Sequence, residues 1–553
     1  MSQVPVALSG HVQHEEGASE PHTQKMPTYS RTLSHNELSY FLPSRAYGLN
    51  DLFSQFTFRA PSALVTHHRV CLVWAIIRLR HPLLASRIEM SPGAYDDAQF
   101  THCPPSSPRG ALRGAESNSC VYKDRKADEL IEDFLNGPRL LSAKQLSFLH
   151  LVARDHDGAS TREYDIIIYY VHCICDGLAA HQLGHVFLSL LGGSAGPGQP
   201  VRSDRELEAL LEKEWTSQWG KVQGESVIPS PAEARIPAAL SKFQMIASKV
   251  EHKAKQDRYL GGHIFPRAKS SIRKTRTRIS NISFDKAQTS SILTRCKSER
   301  VTVSNALFVI CNFAWMRTVR SLDSLPTSET FPMMMYTAIS LRPFFQTRPA
   351  DESFFFLAVS YLNVVLPSFL PSTAPQSAVF WNRARWVRQQ CVQYIRSPFL
   401  PMRVHNMSQE RAIRAKRFAK EDDEMLHATV NTNKPPTPPK PSPPPSSPSP
   451  PALAPQQRFP SVALLGLSQM NNVDDIYVAS AYPDIQLSFV GGHTRKGPGG
   501  MLLFSHTFRG RLHLMFGWDA PAFQPGVVEK FWENVQHGVE EFMVGSQRNG
   551  CKL

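Results

Sequence analysis

Residues 163–193, EYDIIIYYVHCICDGLAAHQLGHVFLSLLGG, place a continuous apolar run, a short polar turn and an amphipathic segment in immediate succession. Ile166 to Val171 contains no charged break, so it predicts a strand covered on both faces; a strand with one wet face would alternate. Leu178, Leu183, Val186, Phe187, Leu190 and Leu191 then recur with helical spacing. Between them Gly177 is expected at φ > 0, closing a turn that a side chain would not permit. A histidine and a carboxylate, His172 and Asp176, are thereby held in a loop between two rigid supports. Histidine is the side chain whose ordinary pKa allows it to exchange protons near neutral pH.

The rest of the chain narrows what such a site can serve. With 553 residues, 42% hydrophobic and 20% charged, the composition is that of a globular protein with more than one core. No apolar run reaches the 18 or so residues of a membrane span; the best, Val70 to Ile77, is followed by Arg78 and Arg80. The first 25 residues lack a basic start and apolar core, so no secretory signal is expected. Nine cysteines at no framework spacing fit reduced thiols, and a cytoplasmic monomer is the expectation. The net charge of +14 concentrates at Arg267, Lys269, Arg273, Lys274, Arg276 and Arg278 and at Arg411, Arg414, Lys416, Arg417 and Lys420. Neither cluster carries a recognition-helix, zinc-finger or base-stacking signature, so both are expected to be solvated faces, with the phosphates of a bound cosubstrate a second reading and nucleic acid no partner.

Residues 1–30 are expected to be a disordered lead. A helix is predicted from Pro61 to the break at Pro82, followed by a strand, LLASRIEM. Residues 91–127 read as loop, 128–135 as a helix and 146–152 as a strand beside the central one. Ser203 and Pro231 open two crossover helices, and the boundary between an N-terminal lobe (31–260) and a C-terminal lobe (261–545) falls there. Beyond it come a strand (275–284), a helix (285–297), a buried helix capped by Ser304, strands at 333–343 and 354–367, and a helix at 374–396. Four more strands and a terminal helix at 527–543 follow. Proline density across 433–458 excludes a ladder or a core, so this stretch is a surface insertion. Strands alternating with helices on both sides of a crossover imply two α/β sandwich lobes.

Two other chemistries compete for the motif. His172, Cys173, Cys175, His181 and His185 are zinc-binding types, but C-x-C is not the usual finger spacing and a second ligand pair is absent, so no metal is expected. A nucleophile-elbow G-x-S-x-G is absent, as is a phosphate loop ending in Lys-Ser/Thr.

His172-x-x-x-Asp176-Gly177 in this context resembles the HxxxD(G) acyltransferase superfamily, which includes chloramphenicol acetyltransferase, fungal alcohol and trichothecene acetyltransferases, and peptide-synthetase condensation domains. Arg80-His81-Pro82-Leu83-Leu84 is similar to the early RHxxLR signature of condensation domains, and Tyr361-Leu362-Asn363-Val364-Val365-Leu366-Pro367 to their late FVN(T)LP signature. Val171 stands where condensation domains carry a further histidine, and Phe516-Gly517-Trp518-Asp519 only partly matches the plant DFGWG signature. The resemblance implies two chloramphenicol acetyltransferase-like α/β sandwich lobes with a tunnel at their interface. It implies an acyl-CoA-dependent O-acyltransferase, with acyl-CoA and a small-molecule alcohol, such as a secondary metabolite, as substrates. His172 would be the general base, and Asp176 would pair with an arginine, here Arg342. An oxyanion donor would come from the second lobe, for which Ser468 is the candidate. An inactive scaffold that binds a metabolite or partner protein, and an enzyme taking a carrier-bound thioester, are the alternatives.

Overall fold

A strand that is apolar along its whole length is stable only where neighbours cover both its faces and both its edges. The computed structural model, which describes residues 27–154, 160–194, 196, 198–219, 227–237, 241–269, 275–322, 331–346, 353–430 and 460–545, places the run accordingly. The expected insertion at 433–458 and nearly all of the expected lead lie outside the described residues; β1 (Tyr29–Thr32) begins at the end of the lead.

In chain order the first half comprises β1, α1 (His35–Ser44), β2 (Leu52–Pro61), α2 (His67–Arg80), β3 (Arg87–Glu89), β4 (Gln99–His102), α3 (Pro108–Glu116), β5 (Ser119–Tyr122), α4 (Ala127–Asn136), β6 (Ser147–Arg154), β7 (Thr161–Tyr170), α5 (Gly177–Gly192), α6 (Asp204–Trp219) and α7 (Lys242–Gln256). The second half comprises β8 (Thr277–Ser283), α8 (Lys286–Ser298), α9 (Val303–Ser321), β9 (Met333–Ser340), β10 (Val359–Leu366), α10 (Gln376–Ile395), α11 (Leu400–Val430), β11 (Ala463–Asn472), β12 (Gln486–Thr494), β13 (Met501–Phe508), β14 (Arg511–Asp519) and α12 (Val527–Gly538).

Among the described residues these strands form three sheets, of which two are large: a five-stranded one ordered β12-β2-β7-β6-β5 and a six-stranded one ordered β10-β9-β11-β13-β14-β8. β7 is central in the first, antiparallel to β2 and β6, and Ile166 to Tyr170 are fully buried. Asp165 on the same strand is also sealed in, and it accepts hydrogen bonds from Thr57 Oγ1 at 2.6 Å, Gln55 Nε2 at 3.1 Å and Arg154 Nη2 at 2.8 Å, which offsets the cost of burying a charge. The chain crosses between the layers: β12, from the second half, pairs antiparallel with β2 over eight residues and completes the first sheet. Helix α11 packs on α1, tying residues 400–425 to the start of the described chain.

Several element boundaries differ from expectation for identifiable reasons. β2 runs through Pro61, so α2 begins only at His67, where Thr66 Oγ1 accepts from Arg69 N at 3.2 Å. Pro82–Ala85 is a single 3₁₀ turn, leaving only Arg87–Glu89 as strand. Residues 91–127 hold β4, α3 and β5, with Ser107 capping α3 and Pro108 in its first turn. After Pro231 there is one 3₁₀ turn, and α7 starts behind Ser241. Thr302, not Ser304, caps α9: its hydroxyl accepts from Asn305 N at 3.2 Å and Asn305 Oδ1 accepts from Thr302 N at 3.1 Å.

Candidate active site

β7 ends at Tyr170, and His172–Ile174 form one 3₁₀ turn before α5 begins. His172 Nδ1 lies 2.9 Å from the carbonyl oxygen of Cys175. A carbonyl only accepts, so Nδ1 carries the proton and Nε2 is the basic nitrogen. Nε2 makes no protein hydrogen bond among the described residues. Burial pushes the pKa of His172 below its ordinary value, a shift partly opposed by backbone hydrogen bonds and by Asp176. The ring packs on Tyr40 from α1 at 4.4 Å between centroids.

Asp176 turns away from this histidine. It is the N-cap of α5, with Oδ1 accepting from Ala179 N at 3.0 Å. Arg342 Nη1 donates to its two oxygens at 3.0 and 2.8 Å, and Ala358 N donates to Oδ2 at 2.8 Å. Arg342 Nη2 in turn donates to Phe356 O at 3.0 Å. Asp176 is only 2% exposed, so the pair joins the loop of the first sheet to the end of β9 in the second through a dry contact. The helix-capping role was missed by sequence reasoning, although an Asp one residue before a helical pattern is its usual signal. Gly177 does not occupy the positive-φ region. It is the first residue of α5, and a Cβ there would sit 3.6 Å from Met470 Sδ, an ordinary contact, so its expected turn role is not what the structure shows.

His172, Asp176 and Gly177 border a cavity of about 670 Å³ between the two large sheets. Asn363 on β10 and Ser468 on β11 line it as well, with His493 and Thr494 of β12 and His506 of β13. Arg80, His81 and Pro82 stand outside the lining. Arg80 pairs with Glu214 at 2.6 Å. His81 bonds Ser353 Oγ through Nδ1 at 2.8 Å and meets the Phe354 ring at 4.5 Å, and burial pushes its pKa down to about 3. Pro82 opens the 3₁₀ turn. The other zinc-type residues do not converge: Cys173 and Cys175 are buried, with their thiol pKa values driven up by burial, and His181 Nδ1 is paired with Tyr477 Oη at 2.9 Å. Among the described residues no group of three His, Cys, Asp or Glu side chains is placed to hold a metal ion.

The expected solvated face at 411–420 is only partly one. Helix α11 turns Met407, Glu410, Arg411 and Arg414 to the cavity, at the i, i+3, i+4, i+7 spacing of one helical face. The Arg411 guanidinium lies over the rings of Tyr40 and Tyr361, at 5.1 and 4.4 Å from their centroids, and the two phenol hydroxyls are hydrogen-bonded to each other. Of the other cluster, Arg267 lies over Phe523 at 4.7 Å, while Arg273 and Lys274 lie outside the described residues.

The overall fold is shared with solved structures. The chain has the chloramphenicol acetyltransferase-like fold. It is similar to trichothecene 15-O-acetyltransferase TRI3 from Fusarium sporotrichioides, with TM-score 0.65 and 14% identity over 95% of this chain and 96% of that one. It is also similar to the condensation domain of the Monacolin K polyketide synthase MokA, with TM-score 0.51 and 11% identity over 94% and 98%. A third likeness is to the EpoB cyclization-docking bidomain from Sorangium cellulosum, with TM-score 0.53 and 11% identity over 93% and 85%. No family model and no curated protein matches the sequence. No helix among the described residues is long and apolar enough to cross a membrane.

Proposed function

We propose that the protein is an acyltransferase that moves an acyl group from a coenzyme A thioester to a hydroxyl of a small-molecule acceptor, with His172 as general base. The observation that carries this reading is the tautomer of His172: Nδ1 is committed to Cys175 O, which leaves an unprotonated Nε2 bordering the cavity. In the reaction Nε2 takes the acceptor's proton as its oxygen attacks the thioester carbonyl. The tetrahedral oxyanion collapses, the carbon–sulfur bond breaks, and the proton passes to the departing thiolate. Ser468 is the proposed oxyanion donor, and no covalent acyl-enzyme is needed, since two substrates aligned in one cavity react with the advantage of proximity. Asp176 and Arg342 hold the loop without touching the reacting atoms. The acetyltransferase with which the fold is shared supports the reaction class, and the cavity volume lies within the range of small-molecule sites.

The test is release of free thiol from acetyl-CoA and longer acyl-CoAs in the presence of a panel of alcohols. His172→Ala is expected to lower kcat/KM by about 10²- to 10⁴-fold while melting like the parent. In the parent, the acid limb of the pH profile is expected below pH 6.5, because burial lowers the pKa of the base. A variant that keeps more than roughly a tenth of the rate lacks the contribution expected of a base, and the assignment would fall. Turnover only of thioesters borne on a carrier protein would replace coenzyme A by that donor.

A further inference from the structure

Four arginines that are buried or partly buried among the described residues are met by anions or by several oxygens. Arg342 has Asp176, Arg403 has Glu251, Arg69 has Asp204 with Leu191 O and Arg202 O, and Arg383 has Asn312 Oδ1, Pro367 O and Phe369 O. Arg411 differs. It forms no ion pair with a carboxylate among the described residues, its contacts being the Tyr361 phenol, Ser39 Oγ at 3.4 Å and the faces of Tyr40 and Tyr361. A guanidinium carries five N–H donors in a fixed fork. The contacts with Ser39 and Tyr361 leave donors over from these five, on a side chain that lines the cavity.

The carboxylates of the lining do not answer this charge. Asp176 is saturated by Arg342, Ala179 N and Ala358 N, and Glu410 is paired with His252 at 3.0 Å and half-exposed. Arg414 adds a second, exposed cation one turn further along the same face of α11. Tyr40 stands between the base and the guanidinium, in contact with both, at 4.4 Å from the His172 ring and 5.1 Å from Arg411 Cζ. Arg411 is therefore a single aromatic ring away from the reacting nitrogen. In a bound acyl-CoA the phosphates are separated from the thioester by the whole length of the pantetheine arm, so a cation this close to His172 is out of their reach.

We propose that Arg411 receives a substrate carboxylate at the reacting end of the cavity, so that the enzyme selects a carboxylate-bearing substrate over its neutral counterpart. This rests on His172 marking the reacting end. The carboxylate is carried either by the hydroxylated acceptor or by a dicarboxylic acyl group such as malonyl. Arginine suits it because its planar fork binds a carboxylate bidentately, and the two tyrosine faces hold that fork in place before the ligand arrives. The Tyr40–Tyr361 hydroxyl pair fixes the two rings against each other across α1 and β10.

Binding, not turnover, decides the matter. The full chain is titrated calorimetrically with a panel of aliphatic and aromatic hydroxy acids and with their methyl esters, and separately with malonyl-CoA and acetyl-CoA. The proteins are the parent, His172→Ala, Arg411→Met and Arg411→Lys. At least one acid, or malonyl-CoA, is expected to bind about ten- to a hundredfold more tightly than its neutral counterpart, the range of a charge-assisted hydrogen bond. That preference should persist in His172→Ala, vanish in Arg411→Met and return in part in Arg411→Lys. A preference among the hydroxy acids assigns the carboxylate to the acceptor, and one between the two thioesters assigns it to the acyl group. Because His172→Ala is titrated too, a failed base assignment would leave this result standing. Acids binding no better than esters across the panel, together with equal binding of malonyl-CoA and acetyl-CoA, would overturn the proposal. So would a preference that survives in Arg411→Met. Retained acetyl-CoA binding by Arg411→Met shows that the variant is folded.

Discussion

Asp176 and Arg342 are 166 residues apart in sequence, and each satisfies a charge that neither could leave buried alone. Removing one partner of a buried pair strands the other, at a cost of about 3–5 kcal/mol, whereas removing both costs less than the sum. Asp176→Asn and Arg342→Met are each expected to lower stability by that amount, and the double variant to show a favourable coupling in denaturant melts. Additive losses, or an Asp176→Asn protein that melts normally yet is inactive, would give Asp176 a chemical role instead. Lys496 provides the contrasting case. It is buried with Thr494 Oγ1 at 2.8 Å and the Phe504 ring at 5.5 Å for company, and burial drives its pKa down to about 7. The unfolded chain therefore holds a proton that the folded chain releases between pH 7 and about 10.5, so this lysine weakens the fold most below pH 7 and less as pH rises. Lys496→Met is expected to be more stable than the parent by a few kcal/mol at pH 6, on the order set by that shift, with the gap closing toward pH 10. A gap independent of pH would mean that the lysine is not the cause. The loop that holds His172 and Asp176 was legible from sequence because a turn between two strongly patterned elements is a local signal, whereas the pairing of Asp176 with Arg342 was implied by the family resemblance. Arg411 was not legible. It is one of many Lys and Arg residues on a charged stretch, and only the approach of Tyr40 and Tyr361, 321 residues apart, distinguishes it.

At the level of elements, periodicity located β3, the strands from β6 onward and most of the helices but missed β1, β2, β4 and β5, and the starts of elements depended on hydrogen bonds that pattern does not reveal. Helix α9 shows the difference. Ser304 and Thr302 are both residues that cap helices, and only backbone geometry decides that Thr302 does so. Thr302→Ala should lose about 1 kcal/mol, and Ser304→Ala close to nothing, when the two are compared by urea unfolding. The reverse order would restore the cap expected from sequence. Helix α11 escaped the sequence reading altogether because Arg, Lys and Glu dominate its exposed side and dilute the apolar spacing. Val404, Ala412, Ala415 and Ala419 on its inward side are small or aliphatic and buried, alongside the polar Arg403 and Ser408. The segment before it, α10, was anticipated because Phe380, Trp381, Ala384 and Val387 repeat at helical spacing over a bulky core face.

On the scale of the whole molecule, the two sheets are distinguished less by where the chain divides than by where it crosses back. β12 lies between β11 and β13 in sequence, yet those two strands pair directly with each other, and β12 pairs with β2 in the other layer. No local pattern reports such an exchange, because β12 reads as an ordinary strand whichever sheet it joins. The crossing demands close contact, and Gly517 on β14 provides it: a Cβ there would fall 2.0 Å from Cε1 of His493 on β12. The His493 ring is held in place, 4.5 Å from the Phe504 ring and accepting through Nδ1 from Thr494 N at 2.9 Å, so moving it toward the cavity it borders would break these contacts. A side chain at 517 would wedge the second sheet away from the strand that completes the first. Gly517→Ala is accordingly expected to cost about 1–3 kcal/mol, as overpacking of a filled core does, and Gly517→Val more. Because β12 belongs physically to one sheet and covalently to the other, the loss should appear as one cooperative transition at lower denaturant rather than as early melting of one half. Fluorescence and far-ultraviolet dichroism should report the same midpoint. Two separated transitions in Gly517→Val would show that the sheets unfold independently, and normal stability would show that His493 can move aside.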